Sequence, residues 1–381
     1  MTAHRTARML AVVAGLTGSV APALHAQGAL STLGFGYPSG QLSTRALGAG
    51  GALAEFDPNS PLNPASLVGA LRALVYLQYD PEFRNVNSGG QTASTLTARF
   101  PLFGVTGRIA GVNIGLTFSS FLDRTWTNTY SDTETLGGQR VPSTVTAQSN
   151  GGVNDVRLAA SYTIAQNYHV GLGFHVFPGE NRILIGRDFP DSTQIGSFTQ
   201  ADIFNFSGSA FSFGVLATPV PHWNLALSGR VGGPLRMRAG DSTIVGAGHV
   251  PDRWSGALAY DGFAGSALSV RYVTERWSAL RGLGSAGLPI SDATEFAAGA
   301  EVAGPKVSNV PMAMRVGFRA RELPFSLGVA KVEERSLSAG LGLPVSNGRG
   351  SIDLSVVRAQ RSAAAVRETG WTVSFGLGIK P

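Results

Sequence analysis

The feature that most constrains this chain is a period-2 alternation of apolar and polar residues, recurring from Leu71 to the C-terminus. In "WTVSFGLGI" the residues Trp371, Val373, Phe375, Leu377 and Ile379 share one face, and Thr372, Ser374, Gly376 and Gly378 share the other. "SLSAGLGL" groups Leu337, Ala339, Leu341 and Leu343. "GSIDLSVVRAQ" sets Ile352, Leu354 and Val356 against Ser351, Asp353 and Ser355. Side chains alternate across a strand, so each segment reads as a strand with one apolar face. That pattern fits both a half-buried soluble sheet and a membrane barrel.

Two further observations favour the barrel. The second face is small and polar with isolated charges, as a lumen is. Aromatics stand near predicted strand ends, where interfacial girdles lie: Trp126, Trp223, Trp254, Trp277 and Trp371. Strands are expected near 72–84, 93–109, 112–128, 152–166, 169–183, 206–218, 222–236, 252–262, 265–276, 294–303, 310–321, 334–344, 349–360 and 370–379. From the second strand on, mostly short connections alternate with longer ones around 129–151, 184–205, 237–251, 277–293, 322–333 and 361–369. An even strand number, with short turns at one end and long loops at the other, is the layout of an outer-membrane barrel. The predicted fold class is all-β: a fourteen-stranded antiparallel transmembrane barrel over residues 71–381, with both termini periplasmic.

Composition removes the competing classes. After the first 30 residues no apolar run approaches the 18 to 20 residues of a membrane helix, and 43% hydrophobic residues exclude a disordered chain. Residues 1–26 read as a signal peptide, with Arg5 and Arg8, an apolar run Met9 to Val20, and the small-residue zone "APALHA" ending at Ala26. Its removal lowers the net charge from +6 to +4, and the basic residues are scattered, so no nucleic-acid footprint is expected. An exported chain with no Cys needs a source of stability other than disulfides, and closure of a sheet in lipid is one.

Residues 27–70 break the pattern. "GALAEFDPNSPLNPASL" carries Pro58, Pro61 and Pro64, which cannot donate to a ladder, yet keeps Leu53, Phe56, Leu62 and Leu67. A barrel of fourteen strands is too wide for its own side chains to fill. An irregular apolar segment before the first strand is therefore expected to be a hatch inside the lumen; the alternative is a periplasmic linker, which would not need Leu53, Phe56 and Leu62.

"GQLSTRALGAGGALAEFDPNSPLNPASL" resembles the N-terminal hatch of FadL-type outer-membrane transport proteins, with Asn63, Pro64 and Ala65 at the family's Asn-Pro-Ala motif. "YTIAQNYHVGLGFHVF", "FGVLATPVPHWNLALSGRVGGPL", "GHVPDRWSGALAY" and "GRGSIDLSVVRAQ" extend the resemblance over most of the mature chain. The resemblance implies a fourteen-stranded barrel with a hatch, and passive uptake of hydrophobic or amphipathic molecules such as long-chain fatty acids. Some relatives (PorV-like) are instead components of protein secretion, so a secreted protein is the alternative partner. The chain departs from the pattern in ending "GLGIKP" rather than on an aromatic residue, and in a short 184–205 loop.

By parity, Arg157, Arg230, Arg271, Glu301, Arg315, Arg319 and Asp353 face inward, because Arg or Lys facing lipid at mid-membrane costs roughly 2–4 kcal/mol. They either pair with one another and the hatch, or one or two Arg receive a ligand carboxylate. Asn63-Pro64 reads as a turn fixing the hatch below the first strand. Pro101 in "RFPLFG" marks a bulge, bend or wall gap. "DIFNF" and "RILIG" are candidates for an outer apolar capture surface. No nucleophile elbow, HExxH or Walker loop appears, so no enzyme, cofactor or metal is expected, and the barrel is read as a monomer.

Overall fold

A computed structural model describes residues 25–26, 30–31, 33–70, 72–88, 91–136, 138–190, 196–283, 289–307, 310–345 and 349–380. The predicted leader lies largely outside them. Fourteen antiparallel strands follow in chain order: β1 (Leu74–Ser88), β2 (Gln91–Ile109), β3 (Val112–Asp123 and Trp126–Leu136), β4 (Gln139–Ala165) and β5 (Tyr168–Val176 and Gly179–Asp188). Then come β6 (Phe198–Val220), β7 (Trp223–Ala239), β8 (Ile244–His249 and Arg253–Tyr260), β9 (Ser266–Glu275) and β10 (Ala293–Val307). The last four are β11 (Val310–Leu327), β12 (Ala330–Val345), β13 (Gly350–Ala363) and β14 (Val366–Ile379). Each pairs with its successor, and β14 pairs back onto β1 from Arg367–Asn87 to Ile379–Val75, closing the barrel.

The alternation sets the two faces. Leu172, Phe211, Leu227, Val316, Leu337 and Trp371 stand exposed on the outside, an apolar surface suited to lipid. Their neighbours Ser212, Ser228, Gly317, Ser336 and Ser338 point inward. Fourteen strands appear where fourteen were expected. The segments read as long outer loops differ: 129–151, 322–333 and 361–369 are mostly hairpin arms, with pairing running on to Leu136–Gln139, Leu327–Ala330 and Ala363–Val366. Beyond the apolar belt the strands satisfy their backbone groups by continuing the ladder.

Three strands break, and at each break the chain turns an apolar side chain inward: Leu122 just before residues 124–125 in β3, Phe177 in β5 and Val250 in β8. Short backbone bonds bridge the breaks, Phe177 to Gly208 at 2.8 Å and Val250 to Gly233 at 3.0 Å. With Phe121, Met237 and Phe325, and with Trp277 and Leu280 from the 3-10 turn Trp277–Leu283, these residues form one buried apolar cluster inside the barrel. Trp277 is only 1% exposed and stacks on Phe121 at 5.4 Å, which corrects its expected place in the girdle. Trp223, Trp254 and Trp371 do face outward.

The segment 33–70, which the sequence assigns to the hatch, packs against inward faces on opposite sides of the ring. Ser43 caps the short helix α1 (Thr44–Gly48), its Oγ accepting from the Ala46 amide. Asn63 caps the 3-10 turn Pro64–Gly69 in the same way through Ala65, with Pro64 at the first position where no donor is needed. Leu42, Ala46, Ala54 and Leu62 form the segment's own small core.

Candidate functional site

Two glycine patches let the backbone of this segment lie directly on the wall. A Cβ at Gly317 would sit 2.1 Å from the Ala49 carbonyl carbon, and one at Gly299 2.2 Å from the Ala49 oxygen. On the other side, a Cβ at Gly171 would meet the Ala65 nitrogen at 2.3 Å, and one at Gly214 the Asn63 Oδ1 at 1.9 Å. The Asn63-Pro64-Ala65 motif therefore rests on β5 and β6. Polar side chains add ties: Thr44 Oγ1 to Ser374 Oγ at 2.8 Å, and Ser338 Oγ donating to the Gly48 carbonyl at 3.0 Å.

Around these contacts runs a buried ring of ion pairs. Glu334 accepts from Arg321 Nε at 2.7 Å, Arg361 Nε at 2.6 Å, Arg319 Nη2 at 3.4 Å and the Tyr37 hydroxyl at 2.9 Å. Glu55 of the hatch segment accepts from Arg253 at 2.5 Å and lies 3.7 Å from Arg271, which also pairs with Glu295. Arg315 bridges Glu301 at 2.5 Å and Asp353 at 2.6 Å, and Arg45 reaches Glu301 at 2.8 Å. Arg230 donates to the Pro251 carbonyl and to Gln41.

All seven inward candidates thus lie inside the barrel, and six of them have partners. Arg157 differs. It is 0% exposed, and its Nε and both Nη atoms make no hydrogen bond. Parity missed no orientation among the seven, but it left out Arg99, Arg253 and Arg321, whose positions carry the same inward signal. Glu334, Glu368 and Arg361 fell in or beside segments read as loops.

The wall itself is incomplete on one side. β2 and β3 pair only from Ile109–Val112 to Leu102–Ser119. Beyond Leu102, β2 pairs with β1 alone, and Phe100-Pro101 bulges opposite Tyr79, so the irregularity expected at Pro101 is present. The free edge of β3 is taken by the hatch segment instead, with Tyr37 pairing to Asp123 and Pro38 to Leu122. Ser39 Oγ donates to the Ser120 carbonyl at 2.5 Å. Arg99 spans the seam, binding Asp123 on β3 and Glu82 on β1. A cavity of about 330 Å³ opens here, lined by Arg99, Phe100, Leu122, Asp123 and Gly151 among others. Inside the lumen a space of about 40 Å³ lies between Gln41, Phe121, Arg271 and Trp277. Of the two apolar segments considered for outer capture, Ile183 and Phe206 are buried inward, while Ile203 is exposed.

No family model matches the chain, and no curated protein does. Solved structures do. A FadL homologue from Pseudomonas aeruginosa superposes with a TM-score of 0.59 at 11% identity, covering 89% of this chain and 98% of that one. The toluene transporter TodX of Pseudomonas putida gives 0.56 at 12% identity, covering 89% and 98%. The monoaromatic hydrocarbon channel CymD gives 0.56 at 13% identity, covering 89% and 97%. The chain has the fold of the FadL-type channels, a closed fourteen-stranded antiparallel barrel, as the sequence resemblance implied.

Proposed function

We propose that this protein is an outer-membrane channel for passive uptake of hydrophobic or amphipathic small molecules, long-chain fatty acids among them. The carrying observation is the seam between β2 and β3. Unpaired strand edges are costly at membrane depth, and here one edge is satisfied by the hatch residues Tyr37-Pro38 rather than by a neighbouring strand. Hatch movement would free that edge and open a lateral way out. Transfer of an acyl chain releases about 0.8 kcal/mol per CH₂, so an apolar tail needs few polar contacts. Arg157, the lumen candidate whose guanidinium makes no hydrogen bond, would receive the carboxylate of an amphipathic ligand.

The chain has no Cys, so a lock can be engineered cleanly. Thr44→Cys with Ser374→Cys places two thiols where hydroxyls already touch. Oxidation is expected to abolish uptake of a fluorescent fatty acid by cells, and reductant to restore it. Equal uptake in both states overturns the mechanism. The ion pairs that tie Glu55 and Arg45 to the wall favour a second reading, an assembly component holding a secreted protein; recovery of such a protein in native mass spectrometry, with no small ligand, supports it.

A further inference from the structure

Beside Arg157, three side chains from adjacent strands form a continuous hydrogen-bonded line. Asp155 Oδ1 of β4 meets His175 Nδ1 of β5 at 2.8 Å, and His175 Nε2 meets Ser212 Oγ of β6 at 2.8 Å. All three are buried, at 0%, 2% and 3% exposure. The carboxylate accepts the Nδ1 proton, which leaves Nε2 as the acceptor for the serine hydroxyl. That is the order of groups that makes a serine nucleophilic: acid, imidazole, hydroxyl.

Three neighbouring features suit an acyl ester. Gly173 lies opposite Ser212, and a Cβ there would be 2.5 Å from Ser212 Oγ and 3.5 Å from Arg157 Cδ, so the missing side chain is what gives the serine hydroxyl its room next to the arginine. Arg157, on the strand of Asp155 and opposite His175, is buried with a guanidinium that makes no hydrogen bond, so its donors are free for a developing negative charge. The hatch covers the line at two points: Gln41 Nε2 donates to Asp155 Oδ2 at 2.8 Å, and Asn63 rests on Gly214, two residues along from Ser212. Displacing the hatch would uncover the serine.

We propose that Ser212, His175 and Asp155 hydrolyse carboxylic esters of apolar acyl chains entering between hatch and wall. Arrival of the ester rests on the uptake route proposed above. Ser212 Oγ bonds to the carbonyl carbon as its proton passes to His175 Nε2, and Arg157 faces the oxyanion. The ester C–O bond breaks, and the leaving alkoxide takes the proton from His175. Water then adds to the acyl carbon, giving its proton to the same nitrogen. The acyl–serine bond breaks, the proton returns to Ser212, and a carboxylic acid and an alcohol leave.

The test treats the full-length protein in detergent with an alkyl fluorophosphonate and with p-nitrophenyl octanoate. An adduct on the Ser212 peptide is expected, with ester hydrolysis falling on the order of 10³-fold or more in Ser212→Ala and His175→Gln. Heat-modifiable mobility on gels shows whether each variant is folded. Gly173→Ala, which crowds Ser212 Oγ without removing any of the three groups, is expected to block the adduct. No adduct on Ser212 in the wild type, or undiminished hydrolysis in folded Ser212→Ala, overturns the proposal and leaves the line as a structural tie. Uptake of a free fatty acid by the wild type needs no hydrolysis, so it reads the channel separately. Its loss in the wild type would count against the channel reading instead.

Discussion

Replacing Gly317 by Ala tests whether the hatch is held by close backbone contact. The new Cβ would lie 2.1 Å from the Ala49 carbonyl carbon and 2.2 Å from the Gly50 nitrogen. Ordinary contact begins near 3.4 Å, so the hatch backbone must retreat by about 1.3 Å, since neither partner is a flexible side chain. Overpacking of this kind costs about 1–3 kcal/mol. The retreat also strains the Ser338–Gly48 hydrogen bond, worth a further 0.5–1.5 kcal/mol or so. A total near 2–4 kcal/mol shifts the docked-to-undocked ratio of the hatch by roughly 30- to 1,000-fold. Limited proteolysis of the hatch in the folded barrel reads that ratio directly, and conductance in planar bilayers reads it independently. The barrel's own unfolding should move far less, because its ladder is intact. Gly107→Ala is the control, since a Cβ there meets nothing within 4 Å. A cleavage rate for Gly317→Ala within threefold of the Gly107→Ala rate would refute the reasoning.

Two further outcomes are expected. Glu334→Gln leaves Arg321 and Arg361 buried beside a neutral amide, so urea unfolding in lipid vesicles should show a loss of about 3–5 kcal/mol, and a change below 1 kcal/mol would show that the ring is not holding the wall. Trp277→Ala removes the ring stacked on Phe121 and should cost about 3–5 kcal/mol locally, seen as amide exchange at residues 278–283 faster by about 10²-fold or more.

Strand number and facing were legible in the sequence because a period of two is a local property. Arg315, Arg319 and Asp353 are inward because Met314, Val316, Phe318 and Leu354 must be outward. The outer hairpins were not legible: "TNTYSDTET" has almost no apolar residues, so its continued pairing leaves no mark in hydrophobic periodicity. Partners within the ion ring were also hidden, because Arg361 meets Glu82 only through the closure of β14 on β1. Trp277 carries the same composition signal as the girdle tryptophans, and only the 3-10 turn that folds inward distinguishes it. The line Asp155–His175–Ser212 is scattered over three strands, so no spacing rule finds it.

The hatch contacts also constrain the order in which the molecule can be made. Thr44 is tied to Ser374, and the Leu30 amide donates to Glu368, partners more than 300 residues later in the chain. Contacts so distant in sequence form late, after a large loop has been closed. This early segment is thus among the last to find its place. Its seats at Gly299 and Gly317 exist only once β10 and β11 are aligned. Docking of the segment on β14 and pairing of β14 with β1 therefore belong to the same late stage.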